Sequence, residues 1–179
     1  MNRLLIAASL ALAALAAPRA YALTEPAGLS NALRVRADQV PAFMLTARGA
    51  EVYRCSPIDT ASGGYGWFVT VPDAILYDGA RQAARLASSN HFEAVGDRSS
   101  LSTVPIRLQA AGAGNMPWEL AAASAEGESG LFVGVTAVQR VNTNGGAAPS
   151  STCDETHSGD EARVDFSADY YFYKPAGAA

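Results

Sequence analysis

The chain is poor in the residues that most often reveal an activity. Its 179 residues include only two cysteines and two histidines. The formal charge is −4, and no stretch concentrates lysine or arginine. A mildly acidic chain without a basic cluster argues against nucleic acid and against an anionic membrane surface as partners. With only His91 and His157 available, an acyl-transfer triad has little material to use.

The chain also lacks an apolar run long enough to span a bilayer. Arg3 precedes an alanine- and leucine-rich run over residues 4–17, and Ala20, Tyr21 and Ala22 form a small-x-small cleavage signal. A short apolar run with these flanks is typical of a signal peptide, and no second run of about 20 residues follows. We therefore predict a signal peptide over residues 1–22 and one periplasmic or extracellular domain over residues 23–179. Because no cysteine lies at the cleavage site, we do not expect a lipid anchor.

Cys55 and Cys153 are the only cysteines. In an exported protein, which meets an oxidising compartment, they are expected to form one disulfide bond. Two buried free thiols are the alternative.

Alternation of apolar and polar residues predicts seven or eight strands, and hence an all-β fold, an antiparallel β-sandwich. The clearest strand covers residues 163–173. Its expected core face is Val164, Phe166, Ala168, Tyr170 and Phe172. Residues 131–141 are predicted to form the preceding strand, with a tight reversal at Asn144, Gly145 and Gly146. A strand over residues 43–55 is expected to have a bulge or a bend at Gly49. Residues 80–87 and 117–123 stay open between helix and strand.

Several short segments resemble one family of secreted proteins. The most specific are residues 139–146, with the sequence Gln-Arg-Val-Asn-Thr-Asn-Gly-Gly, and residues 168–173, Ala-Asp-Tyr-Tyr-Phe-Tyr. Residues 49–55, Trp67 with Phe68, Pro72 to Ala74, Pro117 with Trp118, and Cys153 with Asp154 follow the same order. Together they are similar to the bacterial and fungal proteins grouped as domain of unknown function 3455. The resemblance implies a domain without an assigned activity and favours an extended segment near residue 80.

One strand face offers a candidate ligand surface. Asp165, Ser167, Asp169, Tyr171 and Tyr173 share that face, and Arg140 and Asn142 are expected on a neighbouring strand. Charged groups beside tyrosines could hold a small polar or carbohydrate-like ligand by hydrogen bonds and stacking. The predicted ligand-binding residues are Arg140, Asn142, Asp169, Tyr171, Tyr173 and His91. The alternative is structural, with tyrosines filling one layer of the fold and Arg140 paired with Asp169.

Residues 153–161 gather carboxylates around His157, but their spacing does not match a calcium loop. We assign no metal site, no cofactor and no catalytic residue. The sequence favours a non-enzymatic module that binds a small molecule or an extracytoplasmic protein. A hydrolytic or metal-dependent enzyme using His91 with carboxylates is one alternative, and a structural or stress-related envelope protein is another.

Overall fold

The structure is a computed structural model that describes residues 23–61 and 63–177. The predicted signal peptide over residues 1–22 lies outside the described residues. Nine strands make up most of the described chain: β1 (Gln39–Pro57), β2 (Tyr65–Val69), β3 (Asp73–Asp78), β4 (Arg81–Ser88), β5 (His91–Ala94), β6 (Ser100–Gln109), β7 (Trp118–Glu126), β8 (Ala137–Gly145) and β9 (Glu161–Pro175). Two short 3-10 helices cover Asn31–Leu33 and Glu155–His157. No helix among these residues has the length and apolarity needed to cross a bilayer.

All nine strands belong to one antiparallel sheet that closes on itself. Consecutive strands pair from β3 through to β9. In addition, β1 pairs with β3 and with β9. Eight strands therefore form a ring, and β2 pairs with β1 beyond β3. The all-β antiparallel prediction is confirmed, with a strand count slightly above the predicted one. The two layers of the expected sandwich belong to one continuous sheet, because β1 pairs with β9 on one side and with β2 and β3 on the other.

Pairing between β1 and β9 is the longest in the sheet, running from Gln39 opposite Pro175 to Arg54 opposite Glu161. The pairing passes Gly49 without a shift, so no bulge lies there, and the irregularity is between Pro41 and Phe43. Glycine is needed at this position for another reason. A Cβ at Gly49 would lie 2.1 Å from the carbonyl oxygen of Asp73, so the missing side chain lets β3 approach β1.

The interior of the closed sheet is filled by aromatic rings at one end. Phe43 stacks on Phe172 with ring centres 4.6 Å apart, and Phe92 meets Tyr170 edge-on at 5.4 Å. Phe132 lies 5.5 Å from Phe172. Other buried members of this cluster include Leu45, Ala47, Leu76, Leu101, Val138 and Phe166. Four of the five residues of the predicted core face of β9 are therefore buried, and Val164 is half-buried. Burial of such aromatic and aliphatic surface is the main force that stabilises the fold.

Residues 131–134 form turns, so the prediction of a strand from Leu131 is wrong; β8 begins only at Ala137. Phe132 and Val135 are nonetheless fully or almost fully buried. Asp97 Oδ2 accepts a hydrogen bond from the backbone amide of Leu131 at 3.0 Å. Gly130 has a φ of +115°, which a strand does not use. The segment is thus a series of turns that buries apolar side chains, and its apolar run resembles a strand only in the sequence.

The predicted reversal at Asn144, Gly145 and Gly146 is also wrong. β8 continues to Gly145, opposite Phe166 of β9, after a bulge between Val141 and Asn144. Asn142 has a φ of +51° within this bulge. A Cβ at Gly145 would lie 2.3 Å from the carbonyl oxygen of Asp165, so the absence of a side chain lets β8 approach β9 at this position. The chain reverses later, through residues 146–160.

The remaining alternatives are resolved by the pairing. Residues 81–88 form β4 and residues 118–126 form β7, so both ambiguous segments are strands.

Cys55 and Cys153 form a disulfide bond with their Cα atoms 5.6 Å apart. The predicted disulfide is confirmed, and it ties the end of β1 to the loop that precedes β9.

Candidate functional site

A cavity of about 450 Å³ occupies the end of the sheet interior that the aromatic cluster leaves unfilled. Its wall combines charged, hydroxyl and apolar groups from several strands and loops. The lining residues are Glu51, Tyr53, Val69, Ser89, Asn90, Pro105, Met116, Pro117, Glu119 and Arg140. Exposed Val69, Asn90 and Pro105 border its opening to solvent. We call this space the Glu51 cavity.

Strand alternation explains why charged residues face this interior. On β1, every second residue from Leu45 points inward, and the series reaches Glu51, Tyr53 and Cys55. On the opposite wall, Arg140 of β8 lies directly between Glu119 and Tyr170 in the sheet register. Residues directly opposite one another share a face, so Arg140 points inward with them.

Arg140 is held by protein acceptors. Its Nη2 donates a hydrogen bond to Glu119 Oε2 at 3.0 Å, and its Nε and Nη2 donate to the carbonyl oxygen of Pro117 at 3.3 and 3.2 Å. Burial opposes the charge, but Tyr170 and Glu119 outweigh it and raise the pKa of Arg140. The guanidinium is therefore a fixed positive charge in the cavity wall.

Glu51 is the least satisfied group in the cavity. Only 4% of the residue is exposed, and its Oε2 has no hydrogen-bond partner among the described residues. Burial raises the pKa of Glu51, and the positive charge of Arg140 offsets part of that rise. A buried carboxylate oxygen without a donor is costly, because the water it loses on folding is not replaced. This oxygen is a hydrogen-bond acceptor that the described residues leave unused.

Hydrogen bonds fix the wall around Glu51. The Tyr53 hydroxyl donates to the carbonyl oxygen of Gly146 at 2.7 Å, and the buried Thr143 hydroxyl donates to that of Met116 at 2.6 Å. A Cβ at Gly146 would come within 2.8 Å of the Met116 side chain. These contacts join β1, β8 and the loop before β7, so the cavity has a shape before any ligand arrives.

The predicted ligand residues are divided between the two faces of the sheet, with those of β9 on the outer face and Arg140 of β8 on the inner face. Asp169 lies on the outer face, where the Thr46 hydroxyl and the Asn142 side-chain amide donate to it, each at 2.9 Å. Arg140 points inward and does not share this face, so the expected grouping of Arg140 with Asn142 and Asp169 is wrong. The positive φ of Asn142 breaks the alternation between residues 140 and 142.

The two predicted tyrosines are largely covered. Tyr173 is fully buried, and its hydroxyl donates to Gln139 Oε1. Gln139 Nε2 in turn donates to the carbonyl oxygen of Leu33 at 2.5 Å. Tyr171 packs against an apolar cluster that includes Leu33. The N-terminal segment therefore crosses this outer face, which leaves little tyrosine surface for a ligand.

His91 lies apart from the Glu51 cavity, on the outer side of β5. Its Nδ1 is 3.0 Å from the Ser102 hydroxyl oxygen. It lines a smaller pocket of about 270 Å³ together with Asp97 and Ser99. Hydrogen bonds from the side chain and the backbone of Ser99 lower the pKa of Asp97.

The acidic segment near Cys153 has a structural arrangement. Asp154 caps the second 3-10 helix by accepting hydrogen bonds from the backbone amides of Thr156 and His157. Hydrogen bonds from Thr156 and His157 lower the pKa of Asp154 to about 2, and Asp154 raises the pKa of His157. Within residues 23–61 and 63–177, no group of three or more His, Cys, Asp or Glu side chains is arranged to hold a metal ion.

Sequence patterns did not predict a site role for three residues of the cavity wall: Glu51, Tyr53 and Glu119. One signal could have identified Glu51, which occupies the inward phase set by Leu45 and Ala47. A carboxylate in a core phase is a candidate functional group, because charges are rarely buried without a partner. Glu119 gave no such signal, since its side follows only from pairing with Arg140.

A family model matches residues 36–174 of this chain, and its description is Protein of unknown function (DUF3455). The match extends from the segment just before β1 to the second-last residue of β9 and so includes every strand of the ring and most residues of β9. Neither the curated proteins nor the solved structures contain a match to this chain.

Proposed function

This chain belongs to the family described as Protein of unknown function (DUF3455), and we propose that it is an exported, non-enzymatic domain that binds a small ligand in the Glu51 cavity. The observation that carries the proposal is the unpartnered, buried Oε2 of Glu51. A ligand that donates a hydrogen bond to this oxygen removes the cost of leaving it unpaired. Ligand binding would therefore stabilise the folded protein by giving Glu51 Oε2 a hydrogen-bond donor.

The size and chemistry of the cavity support this role. Its volume of about 450 Å³ lies within the usual range of small-molecule sites, roughly 300–1,000 Å³. Apolar groups from Met116, Pro117 and Pro105 surround a few fixed polar groups, which is the usual composition of such sites. Of the predicted ligand-binding residues, Arg140 belongs to this wall, and Glu51 takes the central position.

A fragment screen followed by amide chemical shifts in NMR tests the proposal. We expect fragments that shift the amides of Glu51, Tyr53 and Arg140 in the purified protein. Replacing exposed Asn90 at the opening by Trp should block them, whereas Asn31→Trp on the exposed 3-10 helix should not. If no fragment shifts the cavity amides, or if the shifts persist in Asn90→Trp, the binding proposal fails. A structural or stress-related envelope role would then be favoured.

Export is supported by the disulfide between Cys55 and Cys153, a bond that persists in oxidising compartments. The predicted signal peptide over residues 1–22 gives this part of the proposal its own test. Mass spectrometry of the protein recovered from its own cells should find an N-terminus at Leu23 and an intact disulfide. An uncleaved N-terminus in a cytoplasmic fraction would contradict export.

One observation favours an enzyme as the second candidate. The imidazole of His91 lies within hydrogen-bonding distance of the Ser102 hydroxyl, as a base lies beside a nucleophile in hydrolases. Ester hydrolysis measured on the wild-type protein and on His91→Ala and Ser102→Ala separates the two roles. Activity lost in both variants would favour the hydrolase, and activity that survives His91→Ala would exclude His91 as its base.

A further inference from the structure

The charges of the Glu51 cavity indicate the chemical class of its ligand. Two carboxylates, Glu51 and Glu119, face one guanidinium, that of Arg140. Glu119 and Arg140 are already paired at 3.0 Å. When Glu51 is ionised, the wall therefore carries one uncompensated negative charge. Because Glu51 itself is buried, this charge attracts a cation more strongly than the charge of an exposed carboxylate would.

The arrangement of Arg140 disfavours an anionic ligand. Both Nε and Nη2 donate to protein oxygens of Pro117 and Glu119. These bonds engage two of the three guanidinium nitrogens, and a carboxylate or phosphate entering the cavity would also meet the carboxylate of Glu51. The electrostatic cost of bringing two anions together is large in a low-dielectric site.

A bare metal ion fits the cavity poorly. The described residues contain no group of three acidic, histidine or cysteine side chains placed to hold one. An organic cation needs less, namely one carboxylate for its charged group and an apolar wall for its body. Tyr53 supplies an aromatic ring in the wall, and Met116 and Pro105 supply apolar surface. Aromatic faces attract cations through the ring quadrupole.

We propose that the ligand of the Glu51 cavity is a small organic ammonium compound, whose charged nitrogen donates to Glu51 Oε2 and whose apolar body lies against Tyr53 and Met116. This inference rests on the proposed function and specifies its ligand class. Glu51 sets the charge preference, while Arg140 and Glu119 form a fixed pair that keeps the opposite wall neutral.

Three probes with the same ring test the charge preference: benzylamine, benzyl alcohol and benzoate. Each is titrated into the purified protein by calorimetry, and amide shifts in NMR locate the binding site. We expect benzylamine to bind at least about tenfold more tightly than benzyl alcohol, a difference of about 1.4 kcal/mol. Benzoate should bind most weakly.

The variant Glu51→Gln removes the charge with little change of shape. It should reduce benzylamine binding to the level of benzyl alcohol, whereas Glu128→Gln, on the exposed turn after β7, should change nothing. If Glu51→Gln does not fold, the ranking of the three probes on the wild-type protein still decides the question.

The outcomes separate the two proposals. Equal binding of benzylamine and benzyl alcohol in the cavity, or a benzylamine affinity that survives Glu51→Gln, overturns the ammonium inference and leaves the binding function standing. If no probe binds in the cavity, the ammonium inference also fails, and the fragment screen described above decides the function independently.

Discussion

The Tyr53 hydroxyl donates a hydrogen bond to the carbonyl oxygen of Gly146 at 2.7 Å, and both groups are buried. This contact links the inward face of β1 to the residue that follows β8. The two residues are 93 positions apart in the chain. Their hydrogen bond thus holds the wall of the Glu51 cavity to the start of the connection that leads to β9.

Replacing Tyr53 by Phe should destabilise the fold. The ring still fills its place, but the carbonyl oxygen of Gly146 loses its donor, which costs about 1–3 kcal/mol in a buried site. Urea unfolding monitored by tryptophan fluorescence measures the loss.

Tyr77→Phe is the matched control, because the Tyr77 hydroxyl makes no hydrogen bond to the described residues. Its effect should stay within about 0.5 kcal/mol, as for most surface substitutions. Equal losses in the two variants would contradict a specific role for the contact between Tyr53 and Gly146.

Glu51→Gln should change the dependence of stability on pH. Burial raises the pKa of Glu51 above its ordinary value of 4.5, so the unfolded chain loses this proton at a lower pH than the folded protein. The contribution of Glu51 to the free energy of unfolding is therefore largest below pH 4.5 and falls as the pH rises through the folded-state pKa. The glutamine variant lacks this loss.

The measurement is the difference in unfolding free energy between Glu51→Gln and the wild type across the acidic and neutral range. It should shift in favour of the variant as the pH rises. Glu128→Gln, with an exposed carboxylate, should show no such trend. The other titratable groups that face Glu51 are Arg140, Glu119, Tyr53 and Tyr170, and all are retained in both variants. A difference that does not change with pH would contradict the assignment.

Loss of the disulfide should destabilise the protein without changing its fold. The bond joins residues 98 positions apart, and closing a loop of that length constrains the unfolded chain by at most about 4.7 kcal/mol. Urea unfolding with and without dithiothreitol should show a lower midpoint under reduction. The double variant Cys55→Ser with Cys153→Ser should unfold at that lower midpoint, and dithiothreitol should not change its midpoint. Two free thiols titrated in the unfolded, unreduced protein would contradict the bond.

Gly49→Ala should be among the most destabilising single changes. The added Cβ would lie 2.1 Å from the carbonyl oxygen of Asp73, a backbone atom that can move only if β3 moves. We expect a loss of about 3 kcal/mol, at the upper end of overpacking effects. Gly66→Ala is the control, because its Cβ would meet only ordinary contacts at 3.5 Å or more. Similar unfolding midpoints for the two variants would refute the close approach of β1 and β3.

Gln139→Ala should release the N-terminal segment from the outer face. The carbonyl oxygen of Leu33 loses its donor, and the buried Tyr173 hydroxyl loses its acceptor. Trypsin should then cleave after exposed Arg34 and Arg36 several-fold faster than in the wild type, as mass spectrometry of the fragments would detect. The exposed Gln82→Ala is the control. Unchanged cleavage in Gln139→Ala would show that other contacts hold the segment.

Parts of this structure follow from sequence patterns because local and tertiary preferences agree. The strict alternation of Phe166, Tyr170 and Phe172 with polar residues predicts both the strand and its buried face. The two cysteines leave one pairing only. For residues 131–135, by contrast, a short apolar run resembles a strand, but the two buried residues, Phe132 and Val135, are three positions apart in a segment of turns, and a short apolar run does not by itself separate these cases.

The candidate site was harder to predict because it depends on register. Arg140 and Asn142 have the same parity, and only the positive φ of Asn142 sends their side chains to opposite faces. Glu119 enters the cavity through its pairing with Arg140, across the connection over residues 127–136. Such relationships appear only once the sheet has closed.

Closure also sets when the protein can fold. The main partner of β1 is β9, and even their nearest paired residues, Arg54 and Glu161, lie more than a hundred positions apart. A growing chain therefore leaves one side of β1 unpaired until β9 is available. Contacts of such long sequence separation form slowly. The order of strands thus delays closure of the sheet until β9 has been synthesised.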